Sequence, residues 1–340
     1  MQEATSLTER ELTSFQTRQI EKLTRELGPV ITNALQDELT SEVLLNPDGR
    51  IWIERLGEDM KMVGSLTTAA ATSAMGTIAA FLNTTVTREN PILEGELPLD
   101  GSRFEGLLPP VVARPTFSIR RKASRVFTLE QYLASGSITR EQYDRICKAV
   151  ESRENILIVG GTSSGKTTLV NGIIHKVTEA TPQHRLLIIE DTGEIQCSAE
   201  NAVVMRSSVT INMLQLLKAS MRLRPDRILV GEVRGSEALA LLKSWNTGHP
   251  GGMATIHANT ARSGLTRLEQ LVSEATQSPM QALIAEAVDL VVHIAKTPNG
   301  RKVTGLLEVI GFQDGDYVTR EIGLLKSRNT ADEGSIHEAS

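Results

Sequence analysis

The run Gly160-Gly161-Thr162-Ser163-Ser164-Gly165-Lys166-Thr167-Thr168 has the composition and spacing of a phosphate cradle. Gly160, four intervening residues, then Gly165-Lys166-Thr167 is a complete phosphate-binding loop. Its glycines let backbone N–H groups turn inward into an anion nest. Lys166 is placed to reach β and γ phosphates, and the Thr167 hydroxyl is the hard oxygen ligand that Mg²⁺ prefers. The flanking residues agree. The apolar run 156–159 is expected to be a buried parallel strand, and 166–178 a helix whose N-terminus favours negative charge.

Three further stretches carry groups that such a loop can use. Arg227-Ile228-Leu229-Val230-Gly231-Glu232 is an apolar strand ending in a carboxylate, which can orient an attacking water or hold Mg²⁺ through water. Leu187-Ile188-Ile189-Glu190-Asp191-Thr192-Gly193-Glu194 is a second strand ending in acids, at the edge where open α/β sheets bind ligands. Gly248-His249-Pro250-Gly251-Gly252-Met253-Ala254-Thr255-Ile256-His257 sets two histidines eight apart in a glycine-rich frame. His257 follows a short apolar run and is placed to touch a γ-phosphate. A zinc site is disfavoured, because no third ligand stands near at the usual spacing.

These residues need a scaffold. From Glu141 onward, apolar strands at 156–159, 186–189 and 228–230 alternate with helices at 166–178 and 210–222, the pattern of a parallel sheet flanked by helices. The runs 290–294 and 306–310 flank a turn at Pro298-Asn299-Gly300. The first 120 residues read differently. An amphipathic helix over 8–27 breaks at Gly28-Pro29, and Pro29 opens a second helix. Strands are expected around Leu44-Leu45, 51–53 and 117–120. The uncharged span 65–87 is long enough to cross a membrane, but its large apolar residues are few and Met75, Ile78, Phe81 and Leu82 form one stripe, so a packed helix is expected. The expected organisation is therefore a smaller α+β N-terminal domain (1–120), a linker (121–140), an α/β nucleotide-binding domain (141–325) and a disordered tail (326–340).

Composition narrows the partners. The chain has 340 residues, a length that favours two domains, and a net charge of −5 from 36 basic and 41 acidic residues. With aromatics at only 3 %, there is little for stacking bases, and direct sequence-specific nucleic-acid binding is not expected. Cys147 and Cys197 have no metal-site spacing and suit a reducing compartment. The N-terminus has no apolar core of a signal peptide.

Taken together, GGTSSGKTT, IIEDTGEIQ, ILVGE and GHPGGMATIHAN resemble, in order, the Walker A, Asp, Walker B and His boxes of the secretion ATPases of type II and type IV systems. The likeness is densest over 103–310. The four-cysteine zinc module of many type II members is absent, and Thr192-Gly193 follows Glu190-Asp191 where pilus motors usually carry proline. The sequence is most similar to the conjugal-transfer members of the type IV group. Ser163 departs from the glycine that many such loops carry there; RecA-type recombinases are similar at this point.

The resemblance implies a RecA-like P-loop NTPase domain behind the N-terminal domain, binding ATP with Mg²⁺ and assembled as a homohexameric ring. It implies a cytoplasmic protein, peripheral to the inner membrane, that works with inner-membrane components of the secretion apparatus and a coupling protein to power pilus assembly or substrate export. Glu232 is the candidate to position water, with Glu190 or Glu194 assisting and His257 sensing the γ-phosphate. Family members close N-terminal arginines over the nucleotide; Arg103 and Arg120 occupy the matching segments here, with Arg114 and Arg121 behind them. The competing readings are a RecA-like nucleic-acid motor, a pilus assembly or retraction ATPase, and a ring that binds ATP only to assemble.

Overall fold

The structure is a computed structural model that describes residues 14–56, 58–122, 126–208 and 210–323. The expected tail at 326–340 and the first residues of the helix expected at 8–27 lie outside these. The chain divides into two compact units, 1–125 and 126–340.

The first unit contains α1 (Ser14–Gln36), β1 (Thr40–Leu45), β2 (Arg50–Arg55), β3 (Lys61–Ser65), α2 (Thr68–Phe81), β4 (Ile92–Glu96), β5 (Arg103–Leu107) and β6 (Thr116–Arg120). Gly28 is non-helical at φ 72° and ψ 170°, so α1 is two helices joined at Gly28-Pro29. The strands form one antiparallel sheet in the order β3-β2-β1-β6-β5-β4. Leu23, Leu27 and Ile31 of α1 and Met75 and Ile78 of α2 share a core with Val43, Ile51, Phe104 and Ile119 of the sheet. The uncharged span is thus a helix of 14 residues whose apolar stripe is buried against protein. No helix among the described residues is long and apolar enough to cross a membrane.

The second unit runs α3 (Leu129–Ala134), α4 (Arg140–Glu151), β7 (Ile156–Gly160), α5 (Lys166–Ala180), β8 (Leu186–Glu190), β9 (Ala202–Arg206), α6 (Met213–Ser220), β10 (Arg227–Val230), α7 (Glu237–Asn246), β11 (Met253–His257), α8 (Ala261–Ser273), α9 (Gln281–Ala287), β12 (Leu290–Thr297), β13 (Gly300–Gln313) and β14 (Asp316–Glu321). Its sheet has the order β14-β13-β12-β7-β11-β10-β8-β9, parallel from β12 to β9, with β13 and β14 antiparallel at one edge. Every residue of β7, β8 and β10 is buried, as expected for strands covered on both faces. Alternate residues feed two cores. Ile156, Ile158 and Ile188 pack with α4 and α5, whereas Leu157, Val159, Ile189 and Val230 pack with α7, α8 and α9. Each such aliphatic side chain contributes about 1.5–3 kcal/mol by burial.

Local signals set the helix ends. Thr128 and Thr139 each form a reciprocal capping box, with Gln131 and Gln142, at the starts of α3 and α4. The helix α6 is shorter than the expected 210–222, because Asn212 caps it with Gln215 and the chain turns after Ser220. The fold is α/β with a smaller α+β unit, as the alternation of elements leads one to expect.

Candidate functional site

The loop leaves the central strand β7 and enters α5 at Lys166. Two of its residues are left-handed: Gly165 at φ 98° and Ser163 at φ 56°. Glycine takes this conformation freely; a serine there costs about 1–2 kcal/mol. Lys166 is 8 % exposed, and its ammonium donates to Gly160 O at 3.0 Å and Gly161 O at 2.9 Å. Its third contact is His257 Nδ1 at 3.2 Å. An ammonium can only donate, so Nδ1 accepts and the imidazole proton sits on Nε2. That Nε2 lies 3.0 Å from Glu232 Oε1. The other oxygen of Glu232 accepts from Arg234 Nη2 at 2.8 Å, and Arg234 Nη1 donates to Asp191 Oδ2 at 2.6 Å.

A continuous relay, Lys166–His257–Glu232–Arg234–Asp191, therefore links the loop to β11, β10 and the end of β8. It forms because β7, β11, β10 and β8 are consecutive neighbours in one parallel sheet. Their C-terminal ends, and the residues just beyond, lie along one edge. Burial would raise the Glu232 carboxyl, but the Arg234 hydrogen bond and charge, then His257 and Lys166, outweigh it and hold the group below the usual carboxylate range. The carboxylate is thus ionised and can accept a proton or a hydrogen bond from water.

The acids after β8 separate into different roles. Glu190 is 2 % exposed, and one oxygen accepts from the backbone N–H groups of Glu194 at 2.8 Å and Ile195 at 3.0 Å. Its other oxygen has no hydrogen-bond partner among the described residues, with Arg206 Nε 4.0 Å away. Burial pushes its carboxyl up despite these bonds. Glu194, carried on the turn that Glu190 holds, accepts from the Thr167 hydroxyl at 3.2 Å. Asn171, buried in α5, fastens the same turn through Glu194 O and Gln196 N.

Thr167 and Glu194 are a hydroxyl and a carboxylate in contact, a hard-oxygen pair that fits Mg²⁺. Among the described residues no group of three or more His, Cys, Asp or Glu side chains could hold a metal ion by itself. That is compatible with Mg²⁺, which takes one or two protein ligands and fills its shell with phosphate oxygens and water.

The arginines part company. Arg227 is 1 % exposed at the start of β10, bonded to Val150 O at 2.8 Å, Gly251 O at 3.2 Å and His184 Nδ1 at 3.2 Å. Burial lowers its pKa to about 10. It braces the fold at the edge opposite the loop. Arg103 and Arg120 face each other across β5 and β6 in the first unit, with Arg120 Nε 3.9 Å from Glu42. Sequence reasoning missed Asn171, whose signal is a polar residue inside the apolar run 169–174, and Arg301, which donates to Ser163 O at 3.1 Å from 138 residues away.

Residues 24–333 match the type II/IV secretion system protein family. The chain belongs to that family. By this membership and its relatives it is a secretion ATPase. It is 53 % identical to a probable conjugal transfer protein TrbB of Sinorhizobium fredii over 92 % of this chain and 96 % of that protein. It is 52 % identical to the conjugal transfer protein TrbB of Rhizobium radiobacter, covering 89 % and 94 %. Among solved structures, the Legionella pneumophila ATPase DotB matches with a TM-score of 0.58 at 19 % identity, covering 87 % of this chain and 81 % of that one, a likeness of fold.

Proposed function

We propose that this secretion ATPase is the hexameric motor of a conjugal-transfer type IV system, converting ATP hydrolysis into pilus assembly or export of a DNA–protein substrate at the inner-membrane face. The high identity to two proteins named for conjugal transfer supports the choice of system. The observation that carries the chemistry is the Lys166–His257–Glu232–Arg234–Asp191 relay.

In the proposed cycle the inward N–H groups of 160–168 receive the β and γ phosphates, and Lys166 leaves its loop carbonyls to neutralise them. Glu232 orients the attacking water and accepts its hydrogen bond. His257, bridging Lys166 and Glu232, couples the presence of a γ-phosphate to that carboxylate. Thr167, with Glu194 beside it and Glu232 through water, would hold Mg²⁺, which would supply charge neutralisation on the phosphate oxygens. Arg103 and Arg120 are assigned to the charge that develops on the transferring phosphoryl group.

Lys166→Ala is expected to reduce ATP turnover by more than about 10²-fold and to abolish plasmid transfer in a deletion strain. Steady-state hydrolysis by purified protein, with transfer frequency scored beside it, checks both. Normal turnover removes the loop from the site, whereas lost turnover with normal transfer removes the conjugal role.

A further inference from the structure

Ser163 sits left-handed where many phosphate loops carry glycine, and its carbonyl is not left to water. The strand β12 pairs with β7 over residues 290–293 and 156–159 and then runs on through 294–297, past the point where β7 ends at Gly160. The returning strand β13 places Arg301 opposite Lys296, on this overhanging hairpin. From there Arg301 Nε donates to Ser163 O at 3.1 Å. The stem of Arg301 covers Gly165 so closely that a Cβ there would lie 2.9 Å from Arg301 Cδ. One side chain thus grips both left-handed residues of the loop, Ser163 by a hydrogen bond and Gly165 by contact.

We infer that Arg301 is a positioning residue: it clamps the Ser163 carbonyl outward, so that the strained loop stays in the shape that receives phosphate. A peptide unit whose C=O is held outward presents its N–H on the other side, which is what an anion nest requires. The strain makes the clamp necessary, because a serine released from φ 56° relaxes toward negative φ and turns the nest. A glycine would hold the left-handed conformation without help. The inference rests on the loop being the ATP site proposed above.

The test is a double-mutant cycle read in KM for ATP, kcat and the thermal midpoint of the nucleotide-free protein. Arg301→Met is expected to raise KM about tenfold, the scale of one lost hydrogen bond to a charged group, with kcat within about twofold. In a Ser163→Gly background the same Arg301→Met change is expected to raise KM by no more than about twofold, because the conformation no longer needs the clamp. An equal tenfold rise in both backgrounds means that the guanidinium acts on the nucleotide or on the fold at large, and overturns the inference. So does an unchanged KM, or a fall in midpoint and kcat with KM intact. Arg301→Lys, which keeps charge and stem, supplies the same ratio where the methionine variant does not fold. If the parent protein itself shows no turnover, or turnover indifferent to Lys166→Ala, the site reading fails and this inference with it. Turnover that needs Lys166 without the Ser163–Arg301 coupling sinks this inference alone.

Discussion

Glu190 and Glu232 stand at the ends of neighbouring parallel strands, yet one carboxylate is folded into its own turn and the other reaches across the sheet edge. Ile189 and Val230 are register partners, so Glu190 lies level with Gly231. Glu190 is still part of its strand, and a Cβ on Gly231 would stand 3.0 Å from Glu190 Cβ. It is therefore committed to a buried face, where two N–H groups of the following turn donate to it. Glu232 lies two residues beyond the end of β10, between Gly231, whose N–H donates to Ile189 O at 2.8 Å, and Val233, whose N–H donates to Thr255 O at 2.9 Å, and its carboxylate meets His257 and Arg234. The same residue type, at nearly the same place in the sheet, becomes a brace in one case and a chemical group in the other. What separates them is the donors each position meets: turn N–H groups for Glu190, and His257 and Arg234 for Glu232.

Making the same substitution at both positions tests that contrast directly. Glu232→Gln keeps shape and hydrogen bonding but removes the acceptor for a proton or water. It is expected to lower kcat by about 10²–10⁴-fold while ATP binding persists. Glu190→Gln retains an oxygen for the two turn N–H groups and is expected to change kcat only a few-fold. Single-turnover hydrolysis with a parallel binding titration separates the two outcomes, and equal losses would erase the distinction. Glu190→Ala removes the acceptor altogether. It leaves the Glu194 and Ile195 N–H groups without their partner, at a cost of about 1–3 kcal/mol for each donor left buried. Denaturant unfolding should show that loss, with turnover falling as well because Glu194 loses its support. Glu232→Ala, which exposes its partners to solvent, is expected to cost less stability.

This contrast also marks how far the sequence could be read. The strand–loop–helix around Lys166, the break at Gly28-Pro29 and the hairpin around 298–300 are local, written in residues a few positions apart, and the fold follows them. The placement of four strand ends on one edge followed from recognising parallel strands. The sequence singled out Glu232, with Glu190 or Glu194 assisting, but not what each acid contacts, because Glu190, Asp191, Glu194 and Glu232 look alike until register and strand length assign each a side. The arginines near β10 show the same limit. Arg227 and Arg234 are seven residues apart, and only the sheet reveals that the strand carries them to opposite edges, one to brace carbonyls and one to join Glu232 to Asp191. Arg301 left no local trace at all, since its partner is 138 residues away.

The smallest expected effect concerns acid stability of the protein without nucleotide or Mg²⁺, where the two glutamates should act with opposite sign. Burial raises Glu190 above the ordinary value of about 4.5, so over the window immediately above that value the folded chain holds a proton that the unfolded chain has released. Stability then falls as pH rises through this window, until Glu190 ionises in the folded state as well. Arg206 and Glu194 are the charged groups facing it, and they pull in opposite directions. Glu232 is held below about 4.5 by Arg234, His257 and Lys166 against its burial. Below that value the unfolded chain takes up the proton first, so the contribution of Glu232 is complete above the window and lost as pH falls through it. Subtracting the unfolding free energy of each glutamine variant from that of the parent across pH 3–7 isolates the two curves. The Glu190 difference should slope downward with rising pH, and the Glu232 difference upward. Two slopes of the same sign would mean that the carboxylates share one environment, and the separation of brace from chemical group would fail on its electrostatics even if the kinetics agreed.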